Sequence, residues 1–368
     1  MTSSDEINLI AHQLFHRISL AKQNINALLN YYEDDKDYNI ENKPNKNSFI
    51  DPNTVNYIHH YTNYIKMIKF EYKGIVFSVN IYAKNYENFS NYIYLIKLVI
   101  ICCLHDKNGF NEKISLKIDL YLSELKKKLP EVPGAYVKKE HAKTGYSIFN
   151  DNIYICIYRR EEWLKALIQE LFFAFTIDLE GDKISYKNIL SNNFCIDDDF
   201  LITNSLIEFC ARFFNAAIFL YFEKGFKEIQ PFQTEFKKMI VKEKQFSVSQ
   251  SNKILKHFGL TYRDLTQNKG ETHARNKFKD KGDLFCYFIV TSLLFIHHSR
   301  ILQWINLEQN NFFNIKKKER ELVIFVHYIA HCSKDSTTYK MFEKNEQKTE
   351  DSLGKTENKN IKCCYHRI

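Results

Sequence analysis

The stretch IYICIYRREEWLKALIQELFFAFTIDL, residues 153–179, decides the fold of this 368-residue chain. Its first part is rich in β-branched and aromatic residues and predicts a strand over 152–159, which we place at the edge of a sheet. Its second part predicts a helix over 161–176, because apolar residues recur at helical spacing. These apolar positions are Trp163, Leu164, Leu167, Ile168, Leu171, Phe172 and Phe175.

The residues upstream of this stretch predict an opening helix followed by a sheet. Apolar residues in 7–30 recur with a period near 3.6, which indicates an amphipathic helix or helix pair. A polar segment, Glu33 to Asn53, follows it. Residues 68–82 alternate in polarity around Lys73-Gly74, a sequence typical of a hairpin turn. With the later strands, the two strands of this hairpin give a predicted sheet of about five strands. The other upstream elements are a helix over about 89–105 and strands over 113–122 and 135–149.

Helical patterns dominate the chain after Arg160. Strands first and helices afterwards predict an α+β architecture, in which a mixed sheet packs on a mainly helical C-terminal body. Residues 341–368 contain little to bury, which predicts a disordered tail. The predicted helices cover 203–224, 247–258, 283–305 and 319–332. The predicted parts are an N-terminal helical extension with a polar linker (1–55), a main domain (56–340, with its sheet in 60–160 and its helical part in 161–335) and the tail.

Composition excludes several classes of function. The ten glycines form neither GxGxxG nor a Walker pattern, which argues against nucleotide-dependent chemistry. The net charge of +8 is dispersed, so we expect no nucleic-acid partner; weak polyanion binding stays open as a third class of function. The longest apolar runs, 92–104 and 284–296, are shorter than the roughly 20 residues of a membrane span. Nine cysteines without a secretory signal indicate reduced thiols and a soluble, cytoplasmic protein.

The central stretch resembles the HExxH-bearing, zincin-type metallopeptidase-like proteins of nucleocytoplasmic large DNA viruses. Their pattern is a strand, Arg-x-Glu-Glu-Trp-x-Lys, a short apolar spacer and His-Glu-x-x-His. This chain reads Gln-Glu-Leu-Phe-Phe over 169–173, where that family has its motif. It keeps the preceding residues Arg159, Glu161, Glu162, Trp163 and Lys165 in order. Weaker similarities, over 113–130, 141–147, 204–215, 244–265 and 283–305, extend the resemblance to about 113–306.

The resemblance implies a zincin-like fold with a degenerate metal site. In an HExxH helix two histidines bind zinc, the Glu acts on the zinc-bound water, and a Glu from the next helix is a common third ligand. Here Gln169 offers a poor ligand and Phe173 none, and the position of the third ligand is held by Asn204, with Glu208 as a surviving carboxylate. We therefore expect no zinc, no other cofactor and no zincin-type catalysis by Glu170.

The resulting hypothesis is a catalytically inactive metallopeptidase homologue with a structural or binding role. The resemblance implies a viral protein, located in the cytoplasm of the infected host cell or in the virion, with a viral or host protein as its partner. One alternative is an active hydrolase with a remodelled site that uses Glu170 and Glu208 as acid and base. In a second, Gln169 is a tolerated zinc ligand and another side chain replaces Phe173. In a third, 161–176 is an ordinary core helix with an accidental Glu.

Two further expectations concern the side chains around the degenerate motif. We expect Phe173 to be buried beside Phe172 against the aromatic helix 206–222, which would fill the former cleft. A carboxylate in such a dry place needs a partner, and we expect Arg212 to pair with Glu170. The run Lys126 to Lys128 is interpreted as a solvated helix end.

Two histidine pairs outside the central stretch also have the i, i+4 spacing that can place two ligands on one metal ion. These pairs are His12 with His16 and His327 with His331. Neither has a Glu after its first histidine, so ordinary surface or core positions are favoured for both.

Overall fold

The computed structural model describes ten segments of the chain. They are residues 3–28, 30–37, 50–107, 114–179, 189–190, 193–196, 201–267, 271–306, 311–352 and 359–365. The strands are β1 (Asn30–Asp37), β2 (Tyr64–Tyr72), β3 (Ile75–Ala83), β4 (Ile114–Tyr121), β5 (Val137–Lys138), β6 (Gly145–Phe149), β7 (Ile153–Ile157), β8 (Ile177–Leu179), β9 (Asp280–Lys281) and β10 (Ile315–Lys317).

A six-stranded mixed sheet has the strand order β1-β2-β3-β4-β7-β6. Its strands β3, β4 and β7 run parallel, whereas β1, β2 and β6 pair antiparallel with their neighbours. The hairpin between β2 and β3 turns at Lys73 and Gly74, which both have positive φ, so the predicted turn is confirmed. Two small parallel pairs, β5 with β9 and β8 with β10, lie outside this sheet.

Helices cover one face of the large sheet and form a continuous apolar core with it. The α+β class and the mainly helical body are therefore confirmed. The helices are α1 (Ser3–Asn24), α2 (Pro52–Tyr61), α3 (Ser90–Leu104), α4 (Lys139–Ala142), α5 (Trp163–Phe175), α6 (Ile202–Lys224), α7 (Ile229–His257), α8 (Tyr262–Thr266), α9 (Glu271–Lys277), α10 (Thr291–Ile296, preceded by a π-helical turn, Phe285–Val290), α11 (His298–Asn306), α12 (Glu319–Ser333) and α13 (Ser336–Ser352).

The opposite face of the sheet carries a smaller apolar cluster. Val55 and Ile58 of α2 are buried there. The strands supply mostly tyrosine to this cluster, including Tyr82 and Tyr121, whose rings stack with centroids 4.3 Å apart. Both faces of the sheet are thus at least partly covered.

The N-terminal residues are part of the core rather than an extension of it. Ile10, Leu14 and Ile18 of α1 are fully buried in the main apolar core. β1 lies where the sequence predicts a polar linker, since its main chain pairs with β2 regardless of side-chain polarity. The linker prediction is therefore wrong for 30–37, and residues 38–49 lie outside the described residues.

The prediction of a disordered tail is wrong for most of 341–368. Residues 341–352 continue α13, and Phe342 is buried against Tyr262, with ring centroids 4.0 Å apart. Farther on, Ile361, Cys363 and Cys364 are buried. Few apolar residues suffice here because main-chain and charged contacts hold the segment. Residues 353–358 and 366–368 lie outside the described residues.

Strand β7 is not at the edge of the sheet, because β6 pairs with it on the outer side. Only 145–149 of the predicted strand 135–149 belongs to this sheet. Gly145 permits the close pairing, since a Cβ there would lie 2.6 Å from the carbonyl oxygen of Cys156. As a result, β6 stands beside α5 and brings Ser147 to it.

Within the described segments one helix, α6, is long and apolar enough to cross a membrane, and 83% of its apolar window is buried inside the protein. The π-helical turn with α10 forms one helical unit, and α11 follows it after a bend of 91° at His297. These two units reach the length and apolar character of a membrane span only when they are taken together. The apolar character of α6 is explained by burial, because it packs against α5, α7 and α10.

Candidate functional site

The junction between β7 and α5 is anchored by Arg159. Its guanidinium donates to the carbonyl oxygen of Lys143 at 2.9 Å and to that of Glu140 at 2.5 Å. Burial lowers the pKa of Arg159, although the group still has nearby acidic partners. Trp163 then begins α5 and packs on Tyr92, with ring centroids 5.1 Å apart. These contacts fix the direction in which α5 leaves the sheet.

Lys165 is the centre of a buried polar cluster on α5. Its ammonium donates to Oε1 of Gln169 at 3.1 Å and to Oε2 of Glu208, on α6, at 2.9 Å. The side chains of Lys165 and Glu208 are 3% and 0% exposed. Burial opposes the charge of Lys165, but Cys363, Glu208 and Glu162 raise its pKa well above the ordinary value. Lys165 is therefore a fixed cation between α5 and α6.

A cavity of about 340 Å³ opens beside this cluster. Gln169, Glu170 and Phe173 of α5 lie around it together with Asn204 of α6, because these two helices pack closely on each other. Glu208 is paired with Lys165 behind the cavity wall. The wall includes Lys143, Ser147, Lys165, Gln169, Glu170, Phe173, Asn204, Asp283, Tyr287 and Cys363.

Glu170 is the buried carboxyl group of the cavity. Ser147 Oγ donates a hydrogen bond to its Oε2 at 2.5 Å. Burial raises the pKa of Glu170 above its ordinary value, against the opposing effects of Ser147 and of the charge of Lys143. Lys143 itself pairs with Asp283 at the cavity. Glu170 can accept or release a proton nearer to neutral pH than a solvated glutamate does.

The expected pair between Glu170 and Arg212 is wrong. Arg212 instead donates to Glu243 Oε2 at 2.8 Å and to Ser247 Oγ at 3.0 Å, and both residues are on α7. The guanidinium also lies 4.3 Å from the centre of the Phe295 ring. The reason is the direction of the helix face, since this part of α6 faces α7 rather than α5.

The expected filling of the cleft by Phe173 is also wrong. Phe173 is only partly buried and lines the cavity, which remains open. Phe172 is the ring that enters the core, where it stacks on Phe214 with centroids 6.0 Å apart and meets Phe312 and Phe313 edge-on. Residues 163–172 of α5 are all buried, and Phe173 is the first position at which the helix emerges beside the cavity.

A second buried charge pair, absent from the sequence prediction, lies at the start of α5. Glu162, with φ 66°, precedes the helix, and its Oε2 accepts from Lys127 Nζ at 2.6 Å. Although burial opposes ionisation, Lys127 and Lys165 lower the pKa of Glu162 to about 2. Lys127 is 4% exposed, so the interpretation of 126–128 as solvated is wrong for Lys127, whereas Lys126 and Lys128 are exposed. The segment is not the end of a helix. A basic run gives no signal of which lysine will be buried.

The donor set at the cavity does not fit zinc. Zinc in proteins is held by imidazole, thiolate or carboxylate groups in a tetrahedral arrangement. Here an amide stands at 169 and a phenyl ring at 173, and the carboxylate of Glu208 is bound to an ammonium. Among the described residues, no three His, Cys, Asp or Glu side chains are grouped so as to hold a metal ion.

The two histidine pairs do not alter this conclusion. His12 and His16 are exposed on α1, with ring centroids 6.3 Å apart, and His327 and His331 are exposed on α12. Within the described segments neither pair belongs to a group of three possible ligands. All nine cysteines are buried and without a disulfide partner.

Comparisons with protein-family models, with curated proteins and with solved structures gave no match to this chain.

Proposed function

We propose that the protein is a catalytically inactive metallopeptidase homologue that keeps a zincin-like scaffold to bind another protein. The observation that carries this proposal is the buried Lys165 ammonium, bonded to both Gln169 and Glu208. The resemblance places the first zinc ligand at 169 and the third on the helix that bears Glu208. A fixed ammonium supplies positive charge but no open coordination position, so it cannot activate water as zinc does.

The competing hydrolase needs two carboxyl groups at the cavity. Glu170 meets this requirement, because it lines the cavity and burial raises its pKa. Glu208 does not, because it is fully buried and held by Lys165. A paired carboxylate without access to substrate is a poor acid or base. The geometry therefore favours binding over hydrolysis.

The open cavity supports the binding role. It presents the carboxyl of Glu170, the ammonium of Lys143 and the hydroxyls of Ser147 and Tyr287 in one concave place. Such a mixture suits a polar protein segment rather than an apolar ligand. The viral setting, with a viral or host protein as partner, is the part of the proposal that rests on the resemblance over 113–306.

Peptide turnover tests the loss of catalysis. Wild-type protein and a Glu170→Gln variant are incubated with a mixed library of quenched fluorescent peptides, with a zinc peptidase as positive control. We expect no cleavage above that of the variant. Cleavage by the wild type that Glu170→Gln abolishes would establish the hydrolase instead.

A matched pair of bulky substitutions tests the binding role. Leu201 is exposed at the cavity, and Leu9 is similarly exposed on α1 and is not among the residues around the cavity. A partner captured by the wild type should be lost by Leu201→Trp and retained by Leu9→Trp. Equal retention by both variants would remove the cavity from the binding site.

A further inference from the structure

The C-terminal segment 359–365 lies in a groove beside the cavity. It pairs antiparallel with 127–129, through Leu129 N–H to Lys359 O at 3.0 Å and Ile361 N–H to Lys127 O at 3.1 Å. On its other side, Lys253 Nζ donates to Asn360 O at 2.8 Å. The segment thus pairs as a strand at Asn360, and it bends at residues 363 and 365.

The amides of residues 362–365 all donate to side chains of the groove. Lys362 N–H donates to Gln250 Oε1 at 3.0 Å. Glu162 Oε1 then accepts the N–H groups of Cys363 at 2.6 Å and Cys364 at 2.8 Å. Finally, Tyr365 N–H donates to Glu243 Oε1 at 2.9 Å. Five successive amides, 361 to 365, therefore donate into the groove, and three of them donate to a carboxylate.

The receiving carboxylates have other cationic partners. Glu162 is paired with Lys127 at 2.6 Å, and Glu243 is paired with Arg212 at 2.8 Å. These pairs would hold both acceptors in position after the segment had left. A binding site whose groups are fixed beforehand loses little freedom when a peptide enters. The groove is consequently built as a receptor for main-chain N–H groups.

Side chains of the segment add contacts to these main-chain bonds. Lys359 pairs with Glu131 at 2.6 Å and Lys362 with Glu161 at 3.2 Å, and the Tyr365 ring lies 5.7 Å from that of Phe246. Ile361, Cys363 and Cys364 are buried, whereas Tyr365 is 48% exposed. Recognition through main-chain groups, with pockets for a few side chains, is the mode by which sheets bind extended peptides, and it tolerates different sequences. Cys363 also forms part of the cavity wall, so departure of the segment would open the cavity on the side of Lys127.

We propose that this groove is a peptide-binding site and that residues 359–365 are its resident ligand, which exchanges with a peptide supplied in trans that follows the same backbone course. The incoming peptide has an apolar residue at the position of Ile361 and small residues at those of Cys363 and Cys364. The inference uses none of residues 169–173, so it stands or fails separately from the inactive metal site.

Binding of a fluorescent synthetic peptide of sequence KNIKCCY, kept reduced, tests the proposal by anisotropy on the full chain. Ile361→Asp should release the resident segment, since it places a carboxylate at a position that is 1% exposed, and leaves the groove intact. Tyr365→Phe is the matched control, because it retains the main-chain bond of residue 365 and the ring that contacts Phe246. We expect Ile361→Asp to bind the peptide at least tenfold more tightly than the wild type and the control. Adding Glu162→Gln should weaken that binding at least tenfold.

Equal binding by all variants, or no binding by a folded Ile361→Asp protein, would overturn the proposal. Hydrogen exchange on the wild type provides a second test that does not depend on the folding of a variant. The amides of 361 and 363–365 should exchange at least tenfold faster than those of α6, and excess peptide should accelerate them further. Exchange of these amides only together with α6 would show that the segment does not leave the groove.

Discussion

Replacing Lys165 by methionine removes the central cation of the site and keeps a long, apolar side chain in its place. Lys165 and Glu208 are almost completely buried, and their charged atoms lie 2.9 Å apart. At this distance and an effective dielectric constant of about 20, their attraction is about 6 kcal/mol before desolvation is considered. Removing one partner of a buried pair costs about 3–5 kcal/mol, because the other charge stays buried without compensation. We expect this loss in the free energy of unfolding of Lys165→Met.

Urea denaturation at neutral pH, followed by circular dichroism, measures this change. The double variant Lys165→Met with Glu208→Gln should regain about 2 kcal/mol or more relative to Lys165→Met, because the stranded charge is gone. Lys238→Met is the control, since Lys238 pairs with Glu235 on the exposed surface and its loss should leave the midpoint unchanged. If Lys165→Met behaves like this control, Lys165 is not the buried cation that the account requires.

The other carboxyl groups and the residues of the degenerate motif give three further expectations. Because the pKa of Glu170 is raised, its ionisation destabilises the fold; Glu170→Gln should therefore melt at a higher temperature than the wild type above pH 7, and the difference should vanish below about pH 4.5. Glu162 has a pKa of about 2 instead of 4.5, so its ionised form stabilises the fold by about 3 kcal/mol. In urea titrations this stabilisation should be present above pH 4.5 and disappear towards pH 2. It should be absent in Glu162→Gln. The double substitution Gln169→His with Phe173→His should lower the free energy of unfolding by only about 1–2 kcal/mol, since Phe173 is partly exposed. Calorimetry should find tight zinc binding to this variant only after Lys165→Met is added.

Local patterns were sufficient to predict the elements that surround the site. The hairpin at Lys73-Gly74 follows from the need for positive φ at both turn positions. The helix over 161–176 follows from its apolar period and is observed as α5. The shared cavity of Asn204 with Gln169, Glu170 and Phe173 does not follow from local patterns, because it depends on how α5 packs on α6.

Contacts between distant segments could not be predicted from these patterns. Nothing in the spacing of residues shows that Lys127 meets Glu162, or that Glu162 receives the amides of Cys363 and Cys364, 201 and 202 positions away. The polar composition of the last residues predicts disorder, yet the segment is held mainly by its main chain, which composition does not report. Helix packing likewise determines that Arg212 pairs with Glu243 and not with Glu170.

The content of zinc in the purified protein tests the central claim most directly. The protein is incubated with equimolar zinc, desalted and analysed by mass spectrometry of the elements, beside a His12→Ala/His327→Ala variant that lacks one residue of each exposed histidine pair. With Lys165 bonded to Gln169 and Glu208, the account predicts far less than one zinc per chain in both samples. About one zinc per chain in both samples, reduced by Glu170→Gln or Gln169→Ala, would contradict it.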